Sequence, residues 1–218
     1  MNRCLICQKQ IKDFSLNKFL NPNELICDNC YCQMNSIDKK FKINGIKAIA
    51  LYKYNDFMKK VILQIKMHKD YELAQNILNN KINSLKRKFK NYYLVYVPST
   101  KDSDQQRGFN HVETIFNGIG IKKDNIFFKK ENYKQSNIKF KDRNKISKII
   151  DLKKRPQINQ KYLIVDDIIT SQNSLKTCIN LLKKNNVSKI KVLVLAYNCR
   201  NNKKFYSLKL LKRIIFKI

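Results

Sequence analysis

The segment Tyr162-Leu-Ile-Val-Asp166-Asp167-Ile-Ile-Thr170-Ser171-Gln172-Asn173-Ser174 opens with four apolar residues. Such a run, bounded by polar residues, reads as a short buried strand. Two adjacent carboxylates follow at once, then a turn rich in hydroxyls and amides, then a helix beginning near Ser174. That order suits a sugar phosphate. Carboxylates accept hydrogen bonds from vicinal ribose hydroxyls, while turn amides, hydroxyls and a helix N-terminus hold the phosphate. Both carboxylates are expected to be exposed at the strand end.

The flanking sequence supplies the rest of a sheet. Residues 190–197 form a second buried strand, and 92–97 (YYLVYV) a third, stopped by Pro98. Residues 45–54 alternate as a further strand. Residues 55–67 read as an amphipathic helix with Phe57, Val61, Ile62 and Ile65 on one face. Residues 71–89 predict a second helix, 111–118 a third ended by glycine, and 174–184 a fourth. The polar stretch 99–110 predicts a loop, 126–128 an edge strand, and the Lys- and Asn-rich stretch 129–160 a flap. The tail, 200–218, predicts either a basic amphipathic helix or a frayed end. Strands alternating with helices imply an α/β domain with a mainly parallel sheet, whose ligands bind beyond the carboxyl ends of strands.

Upstream lies a different kind of segment. The chain has 218 residues and 43% hydrophobic composition, enough for one cored domain and a small appendage. Five of its seven cysteines (4, 7, 27, 30, 32, 178, 199) fall in the first 32 residues. Cys4-x-x-Cys7, then 19 residues, then Cys27-x-x-Cys30 matches a four-thiolate zinc ribbon. Cys32 could replace Cys30 as fourth ligand. Cys178 reads as a core residue and Cys199 as a surface one. The expected division is a zinc-ribbon module at 1–40, an α/β domain at 41–199 and a basic tail at 200–218. The opening residues lack an apolar signal core, and no apolar run approaches the ~20 residues of a membrane span. A cytoplasmic protein, not integral to a membrane, is the expectation.

The formal net charge is +30, and 39 of the 46 basic residues are lysines. Abundant Lys, Asn and Ile fit the codon bias of an AT-rich genome. Bias does not explain the distribution. No acidic residue follows Asp167, while twelve Lys and Arg lie between Lys176 and Lys217. A surface so one-signed attracts polyanions and would bind nucleic acid at least non-specifically. Bias and binding surface both stand as readings of this excess.

The acid-pair segment resembles the phosphoribosyl pyrophosphate motif of type I phosphoribosyltransferases, with Gln172 standing where that family usually has Gly. The chain as a whole resembles the ComF family of competence-associated proteins. Besides the cysteine module, the resemblance rests on Ala50-Leu-Tyr52-Lys-Tyr54, on Ile65-Lys66-Met-His-Lys-Asp70 with Lys69 in place of the usual Gly, and on Val97-Pro98 leading to Gln106-Arg107-Gly108-Phe109-Asn110. Gln135 and the Arg143-x₃-Ser147 spacing match the family's flap only loosely. The resemblance implies a type I phosphoribosyltransferase-like sheet flanked by helices, with the zinc ribbon N-terminal to it. It implies that Asp166 and Asp167 bind ribose hydroxyls, and that Thr170, Ser171, Gln172, Asn173 and Ser174 surround the 5-phosphate. Arg107 would face pyrophosphate with Lys66 as a helper, and Mg²⁺ would bridge pyrophosphate and ribose oxygens. It further implies a part in single-stranded DNA uptake beside the uptake machinery at the cytoplasmic membrane face. Nucleotide salvage, with phosphoribosyl transfer to a base, is the alternative; the residues leave turnover open.

Overall fold

The computed structural model describes residues 3–11, 24–130, 149–169 and 172–198. The expected tail helix, most of the expected flap, Thr170, Ser171 and Cys199 lie outside the described residues.

The long apolar runs become a five-stranded sheet in the order β1 (Ser36–Ile43), β2 (Ile46–Lys53), β7 (Ile190–Tyr197), β6 (Tyr162–Ile169), β3 (Tyr93–Tyr96). Every pair except β1–β2 is parallel. β7 and β6 are central and mostly buried on both faces, which is why residues 192–197 and 162–165 read as continuous apolar runs without alternation. β1 escapes a strand reading because its apolar positions, Ile37, Phe41 and Ile43, are diluted by lysines and one face is exposed. The two-residue turn Asn44-Gly45 joins it to β2, with φ of 47° and 80°. Two successive residues with positive φ are the requirement of a type I′ hairpin, which Asn-Gly meets.

Helices cover both faces. α2 (Asp56–Met67), capped by the Asn55 side chain, packs on one face together with α3 (Tyr71–Asn76), α4 (Asn79–Phe89) and α6 (His111–Asn117). α7 (Asn173–Lys184) covers the other through Leu175, Cys178, Ile179 and Leu182. Cys178 is fully buried, as expected of a core residue.

Two sequence expectations fail here. The single helix over 71–89 is broken at Ile77 and Leu78, two fully buried residues that turn into the core. The expected loop at 99–110 contains α5 (Lys101–Arg107), whose residues are all at least partly exposed. Its N-cap is Thr100, whose side chain accepts from the Ser103 N–H, and its C-cap is Gly108 at φ 85°. Cap chemistry and not an apolar stripe forms this helix. Within the expected flap, residues 150–152 form β5 (Ile150–Leu152), paired antiparallel with β4 (Phe127–Lys129) in a separate two-stranded sheet.

The cysteine segment is not a separate core. Ile11, Ile26, Tyr31 and Met34, the last two on α1 (Asp28–Met34), join one continuous cluster with Tyr52, Met58 and Leu73. Gln64 on α2 donates both to the Leu5 carbonyl (3.1 Å) and to Asp70 (2.8 Å), tying the segment to the loop before α3.

The chain holds only four glycines, so other residues take the left-handed turns. Lys69 sits at φ 57° with its side chain exposed. A left-handed conformation costs a non-glycine residue about 1–2 kcal/mol. Lys69→Gly should therefore raise stability by about 1 kcal/mol, offset in part by the greater freedom of glycine in the unfolded chain. Equilibrium denaturation checks this; a loss of stability would show that the lysine side chain makes a stabilising contact.

Candidate functional site

β3 ends at Tyr96, which pairs with Val165, whereas β6 continues beside β7 to Ile169. Asp166 and Asp167 therefore lie within a strand but past the end of its β3 neighbour. The crevice beyond a truncated strand is where α/β sheets bind ligands.

Side chains alternate along a strand, so the two acids face opposite ways. Asp167 turns toward α2 and α6. Its Oδ2 pairs with Lys66 Nζ and accepts from His111 Nε2 at 3.2 Å. Only 7% of Asp167 is exposed. The expectation of two exposed carboxylates thus fails: Asp167 is buried, because strand alternation places it against cations on the helix layer, and Asp166 is half-buried. Asp166 turns toward α7. With Ile168, Gln172, Asn173 and Ser174 it lines a small pocket of about 40 Å³.

The charges of the pair diverge. Burial raises the Asp167 carboxyl, but the His111 hydrogen bond and the Lys66 charge outweigh it and hold Asp167 well below the usual carboxylate range. Asp166 is pushed well above that range by burial and then by the Asp167 charge beside it. One carboxylate is firmly ionised and its neighbour favours the proton, as two acids this close require.

Behind Asp167 runs a chain of polar contacts. Arg107 Nη1 donates to His111 Nδ1 at 3.1 Å, and Arg107 Nε reaches the Lys66 carbonyl at 3.4 Å. A guanidinium can only donate, so Nδ1 is the acceptor and Nε2 carries the proton given to Asp167. Arg107 is held in turn by Asp104 at 3.2 Å, and Asp104 accepts from Ser99 and Asn110. The structure thus brings Lys66, Arg107 and Asp167 into one cluster, and Asp166, Gln172, Asn173 and Ser174 into another. Sequence reasoning missed His111 and Asp104. Their signal was faint: a histidine four residues after Arg107, and an acid in the first turn of a helix read as loop.

Gln172 takes φ 62° and ψ −1° and precedes the first residue of α7, and its carbonyl accepts from the Lys176 N–H. The left-handed backbone that glycine would adopt without strain is present, with a glutamine in it.

At the N-terminal end the Sγ atoms of Cys4, Cys7, Cys27 and Cys30 all lie within 4.8 Å of one another. Cys4–Cys30 is 3.8 Å and Cys7–Cys27 is 3.7 Å. A four-thiolate tetrahedron with ~2.3 Å bonds has edges of about 3.8 Å, so these cysteines could hold a metal ion. Cys32 is exposed and outside the group. Burial raises the Cys4 thiol, but backbone hydrogen bonds from Cys27, Cys7 and Ile6 outweigh it and lower it to about 7. A thiol so placed readily gives the thiolate that metals bind.

Residues 107–216 match the family model described as phosphoribosyl transferase domain. The chain belongs to that family. It is also similar to the competence protein ComFC of Streptococcus pneumoniae, 22% identical over 88% of this chain and 99% of that protein. Competence protein ComFC of Bacillus subtilis is 21% identical over 79% of this chain and 85% of its own length. Both agree with the ComF resemblance read from the motifs. Among solved structures, a hypoxanthine phosphoribosyltransferase from Staphylococcus aureus aligns at TM-score 0.38 and 18% identity, covering 60% of this chain and 70% of that one. A Giardia lamblia APRTase complexed with 9-deazaadenine aligns at TM-score 0.39 and 13% identity, covering 78% and 83%. The phosphoribosyl transferase domain and the acid pair therefore coincide, since the match spans Arg107, His111, β6 and α7.

The two acids should respond oppositely to neutralisation. Asp167, with a depressed folded value, contributes stability that is present above the unfolded carboxylate range near ~4 and lost as pH falls through its folded value. Asp166, with a raised folded value, penalises folding once pH rises above that same range. At pH 7, Asp167→Asn should cost about 1–3 kcal/mol by leaving Lys66 without a counter-charge and His111 with a weaker, neutral acceptor, and Asp166→Asn should leave stability unchanged or raised. Denaturation at pH 7 and pH 4 checks both signs, the difference shrinking at the lower pH. Equal losses for the two variants would refute the assignment.

Proposed function

We propose that this protein binds a 5-phosphoribosyl ligand between Asp166 and the 170–174 turn, and works as a ComF-type protein on incoming single-stranded DNA. The observation that carries the ligand reading is the pocket shared by Asp166, Gln172, Asn173 and Ser174. An acid for hydroxyls and a helix N-terminus for phosphate meet there. In this reading Asp166 accepts from a ribose hydroxyl, while Asp167, on the other side of the strand, holds Lys66 and His111 in place behind it. Thr170 and Ser171 complete the phosphate loop. Arg107 positions His111 and turns toward pyrophosphate when ligand is bound. Mg²⁺ carried by the ligand's own phosphates would supply charge neutralisation there.

The DNA half of the reading rests on the two ComFC relatives and on a net charge of +30. A cytoplasmic place, at the inner face of an uptake apparatus, goes with it. Among the described residues no helix is long and apolar enough to cross a membrane. A nucleotide-salvage transferase is the second reading, favoured by the phosphoribosyl transferase domain itself. Release of pyrophosphate with a nucleobase would establish it.

Calorimetry with phosphoribosyl pyrophosphate and Mg²⁺ tests the site. The wild type should bind, and Asp166→Asn and Asp167→Asn together should weaken binding at least about tenfold, a hydrogen bond to a charged group being worth ~1.5–3 kcal/mol. Gln172→Gly should tighten binding, because glycine holds φ 62° without strain and lets the turn amides approach. A wild type that binds nothing would refute the reading.

In the N-terminal cluster we place one Zn²⁺ on Cys4, Cys7, Cys27 and Cys30, where it organises the segment for docking on α2. Elemental analysis should give one zinc per chain, lost in Cys30→Ser and kept in Cys32→Ser. The reverse pattern would make Cys32 the ligand.

A further inference from the structure

A second cavity lies elsewhere, between the Pro98 loop, α5, α6 and the β4–β5 ribbon, with a volume of about 630 Å³. That is within the range of sites for small organic ligands. Its aromatic lining is Tyr96, Phe127 and Phe128, and its basic lining is Lys101, Lys129, Lys130 and Lys153. The two acids in its wall are already engaged. Asp104 binds Arg107, Ser99 and Asn110, while Glu113 pairs with Lys123 at 2.9 Å and accepts from Tyr96. Among the cations, Lys130 pairs with Asp151 and Lys153 reaches Asn125 at 3.3 Å. Lys129 has no such partner among the described residues.

Flat apolar surface ringed by cations, with its acids neutralised from behind, selects a particular chemistry. A neutral apolar ligand would leave the lysines unused. A simple anion would leave the aromatic rings unused. A nucleotide unit uses both: the base lies on an aromatic face and its phosphate meets the lysines, the pairing by which single strands are bound without sequence preference.

We propose that this cavity is a nucleotide-unit site, separate from the Asp166 pocket, that seats a base on Phe128 and Tyr96 and its phosphate on Lys129. The proposal extends the nucleic-acid half of the function above by giving it a place. The unit could come from single-stranded DNA or from a free nucleotide. Asp104 belongs both to the cavity wall and to the Arg107–His111–Asp167 chain, so an occupant would lie against the back of the phosphoribosyl site.

The chain contains no tryptophan, so Phe128→Trp introduces a single reporter at the cavity. The expected results are three. Oligo(dT) of about twelve residues should quench the indole emission as it raises the anisotropy of a labelled oligonucleotide. Phe128→Ala should weaken that binding about 5- to 100-fold, the loss of one stacking partner. Lys129→Ala should lower the slope of log affinity against log salt by about 0.7, one phosphate contact. Thymidine 5′-monophosphate distinguishes the source, since quenching by it at low concentration would point to a free nucleotide. Oligonucleotide that binds Phe128→Trp without quenching, or with Phe128→Ala and Lys129→Ala unchanged, would overturn the site and leave the DNA reading standing. Quenching by the monophosphate with no oligonucleotide binding would do the reverse. No response to either would overturn both. Calorimetry with phosphoribosyl pyrophosphate on the same variants controls for folding and should be unaltered.

Discussion

The ionised Asp167 is the constraint from which the rest of the site follows. A carboxylate removed from water costs several kcal/mol unless it is paired and fully hydrogen-bonded. Here the partners come from two helices, Lys66 from the end of α2 and His111 from the start of α6. Both helices must dock where they do for Asp167 to be tolerated. His111 must also present the right nitrogen, and Arg107 fixes that by donating to the other. Arg107 is in turn fixed by α5, a helix held by the Thr100 cap and by the Asp104, Ser99 and Asn110 contacts. A polar helix with no buried residue is thus kept in place by a charge on the central sheet.

The same charge shapes the neighbouring residue. Asp166 sits next to an ionised acid and is itself desolvated, so it favours the proton. One acid anchors the helix layer while the other opens toward the turn before α7. A ligand in that turn therefore meets Asp166, while Asp167 stays engaged with Lys66 and His111 behind it. Gln172 adds a further tension, since the turn keeps a glycine-like backbone in a chain with only four glycines.

Much of this was legible in the sequence. The runs at 162–165 and 192–197 announced central strands because burial on both faces leaves nothing polar to interrupt them. The double Cys-x-x-Cys spacing announced its cluster, and the structure selects Cys30 over Cys32. The acid pair was found, but its environment was not. Asp167 looked like a solvated strand end because Lys66 and His111 lie far away in sequence. β1 and α5 were missed for related reasons. Each is held by local chemistry, an Asn44-Gly45 turn and a Thr100 cap with Gly108, and neither carries an unbroken apolar stripe. The cysteine segment's share of the common core was hidden too, since Ile11, Ile26 and Met34 show no period of their own.

That Asp166 reads a ribose hydroxyl, with Asp167 holding the helix layer behind it, is the central claim, and a comparison of ribose 5-phosphate with 2-deoxyribose 5-phosphate by calorimetry tests it most directly. The two ligands share phosphate and ring and differ by one hydroxyl. A carboxylate that accepts from that hydroxyl should favour ribose 5-phosphate about tenfold or more, and the preference should collapse in the Asp166→Asn, Asp167→Asn double variant. Equal affinities in the wild type would contradict the account, because the acid pair would then hold the fold together without recognising a sugar.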